Sequence, residues 1–216
     1  MQVSCLLLLH MISWIVTGGL GCGKSSVVGL LEHIGLAKVG SFSCDQEARR
    51  LMEDVSIMDQ LEGSFGASVF EQDPSAASGR RISRSWLRQM VFSDLALKRS
   101  LEEILHPRIL EGLEMERSRV RGGGAELFLA EVPLHYEIGG IVTADQVIVV
   151  AASRAVQIRR LMELRELDQG TAERMLGSQW SIEAKVERAD GVIWNDGDRG
   201  ALEAQVLTLA KQLLPA

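Results

Sequence analysis

Residues 5–26 read CLLLLHMISWIVTGGLGCGKSS, and the two halves of that stretch point to different compartments and different folds. The first half has the look of the apolar core of a secretion signal. The second half has the look of a loop that wraps phosphate groups inside an enzyme. A signal would carry Lys or Arg ahead of the apolar run and an A-x-A-like cleavage site after it, and neither is present. The run from Val3 to Val16 is ended by Thr17-Gly18-Gly19, short of the ~20 apolar residues that span a membrane. The alternative is that Ile12–Val16 is a strand buried on both faces of a parallel sheet, which reads as a short continuous apolar run. Met11 then reads as a natural start, residues 1–10 as an N-terminal extension, and the expected compartment is the cytoplasm.

Gly18-Gly19-Leu20-Gly21-Cys22-Gly23-Lys24-Ser25 fits G-x-x-x-x-G-K-[ST]. An apolar strand precedes it, and a helix with Val27, Val28, Leu30, Leu31 and Ile34 on one face follows it, which is the context the motif requires. The glycines let backbone N–H groups turn inward around phosphate oxygens, helped by the positive end of the helix. Lys24 would place its charge on the β- and γ-phosphates, and the Ser25 hydroxyl would ligate Mg²⁺. A bare glycine turn before a helix would leave the Lys-Ser pair unexplained.

The 216 residues suit one domain, or one core with inserted subdomains, and 46% hydrophobic with 24% charged residues is ordinary for a folded chain. A net charge of −6 argues against a general nucleic-acid binder, which normally shows a basic face. Cys5, Cys22 and Cys44 are odd in number and form no C-x-x-C pair, so neither a disulfide framework nor a zinc site is implied.

Further along, 37–42 is a short candidate strand, a helical pattern resumes at Gln46, and 54–66 reads as another helix. EQDPSAASGRR, 71–81, is the clearest loop. Residues 83–121 read as helical, with Pro107 opening a new helix after His106. Strands are expected at 126–132, 146–152 and 191–194, and helices at about 153–164, at 171–188 and at the C-terminal end. Alternating strands and helices around a phosphate loop predict an α/β fold: three layers, a parallel sheet, a helical insertion for the second substrate and a small helical lid. The expected division is a nucleotide-binding core of 11–53 and 125–216, an insertion of 54–124, and a lid of 155–180 within the core.

Ligands of such sheets sit at the carboxyl ends of the strands. Asp45, just past the second candidate strand, is placed to take the proton from an attacking hydroxyl. It reads equally well as the N-cap of the helix from Gln46, and one Asp can do both. Glu131, ending the next strand, reads either as a contact to Mg²⁺ through water or, more commonly for such residues, as a solvated charge. Arginines cluster at Arg80, Arg81, Arg84 and Arg88, and again at Arg154, Arg159, Arg160 and Arg165. Either group can be a solvated helix face, but an acidic enzyme holding two polyanions needs local positive charge, and Arg binds phosphate bidentately. Arg165, before the polar break ELDQGT, is placed to act as a lid arginine on the transferring phosphoryl group, with Arg160 as the fallback.

Five ordered segments together resemble dephospho-CoA kinases: TGGLGCGKSS; CDQEARRL, similar to D-A-D-x-x-A-(R/H)-x-L; LEEILHPRI, similar to L-E-x-I-x-H-P-x-I; VPLHYE, similar to V-P-L-L-F-E; and QWSIEAKVERADGVIWNDG, similar to Q-x-x-x-E-x-K-x-x-x-A-D-x-V-I-x-N-x-G. The resemblance covers nearly the whole chain from Met11. It implies that ATP gives its γ-phosphoryl group to the ribose 3′-hydroxyl of dephospho-CoA, with Mg²⁺ as cofactor and with neither nucleic acid nor membrane as partner. It implies that Asp45 is the catalytic base, that Gly21, Cys22, Gly23, Lys24, Ser25 and Ser26 hold the ATP phosphates, and that Asn195 lies at the adenine end. It implies that the helical insertion, with Arg84, Arg88 and His106, forms the wall that receives the CoA moiety, while His106, ahead of Pro107, reads equally well as a structural residue. The chain departs from the pattern at Ser43, which replaces the first Asp of D-A-D, and at His135, where Leu is usual. Three residues are inserted between Gly35 and Asp45, and the lid is about one residue short between Arg165 and Gln179.

Another small-molecule or nucleoside monophosphate kinase of the same fold would lack LEEILHPRI and VPLHYE. A GTPase switch would need N-K-x-D, and NDGD lacks the Lys. A pseudoenzyme that only binds nucleotide stays open as an alternative, and against it Lys24, Ser25 and Asp45 are all present.

Overall fold

The computed structural model describes residues 11–75 and 79–214, excepting the side chains at 84, 88, 91–93 and 95. The expected extension, residues 1–10, lies outside the described residues. The chain divides into two compact units: Cys44–Glu114 is one, and the segments on either side of it form the other.

The larger unit is built on a five-stranded parallel sheet in the order β2-β5-β1-β6-β7, formed by β1 (Ile12–Gly18), β2 (Val39–Ser43), β5 (Leu127–Glu131), β6 (Gln146–Ala151) and β7 (Gly191–Trp194). β1 is central, and its last five residues are buried, as are all five residues of β5. The described end of the apolar run that could have been a signal, Ile12–Val16, is therefore a strand in the middle of a core. Phe128, Leu129, Ile148 and Val150 are sealed from solvent, and each such burial contributes about 1.5–3 kcal/mol relative to exposure. Helices α1 (Lys24–His33), α6 (Arg154–Arg165), α7 (Gln169–Gly177), α8 (Ile182–Val186) and α9 (Arg199–Leu213) accompany the sheet. Val27, Val28 and Leu31 of α1 and Leu202, Val206 and Ala210 of α9 enter the same core as the strands.

Aspartates one residue ahead of β6 and β7 start the pairing of those strands. The Asp145 carboxylate accepts from the Ser13 N–H at 2.7 Å while its own N–H donates to the Ser13 carbonyl at 2.9 Å. Asp190 does the same with Val147, at 2.7 and 2.9 Å. At the β7 edge of the sheet, the Gln205 side-chain amide accepts from the Trp194 N–H at 3.0 Å and donates to its carbonyl at 2.8 Å.

The smaller unit holds α2 (Cys44–Leu51), α3 (Val55–Phe65), a short 3₁₀ turn, the antiparallel pair β3 (Phe70–Gln72) and β4 (Arg80–Ile82), α4 (Arg84–Ser93) and most of α5 (Leu95–Gly122). Its core is Leu51, Ile57, Met58, Leu61, Val69, Ile82, Leu87 and Leu105.

Three expectations change. The loop expected at 71–81 carries a hairpin, whose three-residue strands are too short for periodicity to reveal. Pro107 lies inside α5 and does not open a new helix. Glu103, whose carbonyl loses its partner, and Pro107 are both on the exposed side, where that carbonyl is open to solvent rather than sealed in the core. The helix expected at 171–188 is two helices: Gly177 ends α7, and the Ser181 hydroxyl caps α8 by accepting from the Ala184 N–H. Among the described residues no helix is long and apolar enough to cross a membrane.

Candidate active site

Because β1 lies between β5 and β6, the loop after Gly18 emerges at the carboxyl edge of the sheet with a strand end on either side. Gly23 caps α1 in the left-handed region, φ 88°, where glycine is favoured and where a Cβ would lie 2.4 Å from Asn195 Nδ2. The ammonium of Lys24 reaches back over the loop to the carbonyls of Gly19, at 3.0 Å, and Gly18, at 3.5 Å.

Ser25 and Ser26 are exposed on the first turn of α1. The Ser25 hydroxyl donates to Glu131 Oε1 at 2.8 Å. Glu131 is 7% exposed, so it is not the solvated strand-end charge that such residues more often are. A hydroxyl plus one carboxylate beside a polyphosphate loop is the donor set that suits Mg²⁺, which keeps several waters and takes few protein ligands. Among the described residues no cluster of three or more His, Cys, Asp or Glu side chains offers a competing metal site.

The loop is also held from behind. Gln157 Nε2, from α6, donates to the Leu20 carbonyl at 2.8 Å and lies 3.1 Å from Cys22 Sγ. Arg160 Nη1 donates to the Gly21 carbonyl at 3.1 Å, and its Nη2 to the Asn195 carbonyl at 2.9 Å. Asn195 Nδ2 donates to the Cys22 carbonyl at 2.8 Å. Asn195 thus directs its amide at the phosphate loop. Cys22 is fully buried, and burial pushes its thiol up, with the Lys24 charge pulling the other way.

The two arginines expected near the lid separate. Arg160 is half-buried against the loop. Arg165 is exposed on the last turn of α6, just before Glu166 ends the helix with φ 54°, and among the described residues it makes no hydrogen bond to the loop. The Gln157 role was missed from sequence, since a lone glutamine on a helix carries no local signal of what it touches.

Ser43, the last residue of β2, pairs in register with Glu131. Asp45 follows two residues later, exposed in the first turn of α2. The helix already begins at Cys44, so Asp45 is not its N-cap, although its charge suits the positive end of the helix. Within the smaller unit, Arg80 pairs with Glu62 at 2.9 Å and covers the Phe70 ring at 4.2 Å, and Arg81 pairs with Glu71 at 2.7 Å. Those two arginines fasten the hairpin. Arg84 and Arg88 stand on α4 with side chains outside those described, and His106 is half-buried on α5.

Residues 13–200 match the family model described as dephospho-CoA kinase. The chain is 33% identical over 201 residues to a dephospho-CoA kinase of Syntrophotalea carbinolica, covering 93% of this chain and 91% of that one. A solved protein of Thermus thermophilus superposes with a TM-score of 0.78 at 29% identity, covering 95% of this chain and all 100% of that one. The dephospho-CoA kinase of Campylobacter jejuni, at 22% identity, shares the fold with a TM-score of 0.58 over 94% of this chain and 97% of that one. With the phosphate loop at a central strand end and the family model matching from the first strand to the start of the last helix, the chain belongs to the dephospho-CoA kinase family.

Proposed function

We propose that this chain is a cytoplasmic dephospho-CoA kinase, transferring the γ-phosphoryl group of ATP to the ribose 3′-hydroxyl of dephospho-CoA to give coenzyme A and ADP. The observation that carries the reading is the phosphate loop with Ser25 exposed at its head and held by the buried Glu131. The backbone of Gly21 to Ser26 cradles the phosphates, and Lys24 leaves its carbonyl partners to neutralise the β- and γ-oxygens. Ser25, with Glu131 behind it, is the group that would hold Mg²⁺, which supplies charge neutralisation across those oxygens. Asp45 accepts the proton of the 3′-hydroxyl as its oxygen attacks phosphorus and ADP departs. Arg165 steadies the charge spreading onto the transferring group. The insertion, with Arg84, Arg88 and His106, receives the CoA moiety, and residues 155–180 close as the lid.

The test is a coupled assay of ATP consumption with Mg²⁺ and dephospho-CoA, with Asp45→Asn beside the wild type. Turnover should require dephospho-CoA, yield coenzyme A, and drop by about 10²–10⁴ in the variant, the usual share of a general base. Undiminished turnover in the variant would remove Asp45 as base. A folded, ATP-binding chain without acceptor-dependent turnover would refute the assignment, and a panel of alcohol and nucleotide acceptors would follow.

A further inference from the structure

Three consecutive carbonyls of the phosphate loop each accept a hydrogen bond from a side chain outside it: Leu20 from Gln157, Gly21 from Arg160 and Cys22 from Asn195, at 2.8, 3.1 and 2.8 Å. In a planar trans peptide, a carbonyl and the N–H of the next residue point in opposite directions. Tying back the Leu20 and Cys22 carbonyls therefore turns the Gly21 and Gly23 N–H groups the other way, into the concavity that an anion fills. A loop with this many glycines has many alternative peptide orientations, and an unbraced loop would lose that entropy each time nucleotide bound.

Two of the three donors come from the first turns of α6. Gln157 is buried, with its amide used against Leu20 and Cys22. Arg160 spreads its fork between Gly21 and the Asn195 carbonyl, so it also steadies the residue that holds Cys22. The close approach needs glycine on the loop side: a Cβ on Gly19 would lie 2.2 Å from Gln157 Nε2.

We infer that Gln157 and Arg160 are positioning residues for the ATP triphosphate, acting through the loop backbone, and that they make α6 and the phosphate loop one mechanical piece. The inference rests on the proposal that this loop holds ATP. It gives the arginines of α6 different roles, with Arg160 shaping the ground-state nucleotide site and the transferring group left to another residue.

The experiment compares wild type, Gln157→Leu and Arg160→Lys as full chains. Gln157→Leu keeps volume and removes the donor, while Arg160→Lys keeps the charge but not the fork. ADP with Mg²⁺ is titrated by calorimetry, and KM is measured separately for ATP and for dephospho-CoA. Each variant should raise the ADP Kd and the ATP KM about five- to ten-fold, the net effect of one or two lost hydrogen bonds, with the KM for dephospho-CoA within about twofold. Circular dichroism and thermal midpoints establish folding, and if Gln157→Leu does not fold, Arg160→Lys decides. An unchanged ADP Kd, or equal losses for both substrates, overturns the inference. The ADP arm needs no acceptor. Wild type that binds ADP without turning over dephospho-CoA would defeat the kinase assignment, while the variants' ADP affinities would still decide the brace. Wild type that does not bind ADP would overturn both.

Discussion

His135 is 6% exposed, and its Nδ1 has no hydrogen-bond partner among the described residues. Burial holds its pKa below the ordinary 6.5; the Glu137 carboxylate opposes that and the Lys185 ammonium reinforces it. The fold thus favours the neutral ring more than the unfolded chain does. Above the ordinary histidine value neither the folded nor the unfolded chain protonates it, and its contribution is fully present. As pH falls below that value, the unfolded chain takes up a proton that the native chain refuses, so stability is lost down through the lowered native pKa. Urea unfolding at about pH 7.5 and about pH 5.5 should show this loss, and His135→Leu should reduce it. An equal loss in both chains would exclude His135 as its source. At this scale the sequence was partly legible. The places of Lys24 and Ser25 at the end of the glycine loop, and of Asp45 just past β2, were readable because a motif or a strand end announces them. Gln157 was not, because its role is a contact across 137 residues of chain. The burial of Glu131 could not be read from its own neighbours either.

Among the elements, α8 carries a buried ion pair. Lys185 is fully buried, with its Nζ 2.7 Å from Glu137 Oε1, and the same carboxylate oxygen accepts from the Trp180 N–H at 3.0 Å. The ammonium meets the carboxylate as an ion pair without a well-aligned hydrogen bond. Removing one partner leaves the other charge buried and uncompensated. Lys185→Met should therefore destabilise the fold by about 3 kcal/mol in urea titrations, with much of the loss recovered when Glu137→Gln is added. A Lys185→Met chain as stable as wild type would mean that the pair is dispensable. Long, strongly periodic elements such as α1 and α9 could be read directly, and so could the central strands, because burial on both faces leaves an unbroken apolar run. The β3–β4 hairpin could not, being three residues a side. Nor could the break between α7 and α8, which depends on Ser181 turning its hydroxyl to a backbone N–H.

For the whole molecule, nucleotide binding and folding are linked. If the braced loop is the ADP site, ligand that binds only the folded chain stabilises it, by about 2.7 kcal/mol at a hundred times its Kd. A thermal midpoint that climbs with ADP concentration in wild type, and climbs less at equal ADP in Arg160→Lys, is the expected pattern. Midpoints insensitive to ADP would contradict it. The fold class was legible at this scale because one motif fixes a strand, a loop and a helix in order, and strands alternating with helices favour a parallel sheet. The boundary of the smaller unit, at Cys44 and Glu114, was not. α5 runs unbroken through its second limit, so no turn residue marks it.

The Gln205 amide on the backbone of Trp194 occupies the N–H and the C=O that a further strand would need at that position. A sheet edge ordinarily offers such groups as a template for another chain. Here one side chain from α9 plays the part of a neighbouring peptide. Polymerisation by strand addition is thereby opposed at β7 without a charge or a proline, and the indole of Trp194 can stay exposed there without inviting a second copy to pair.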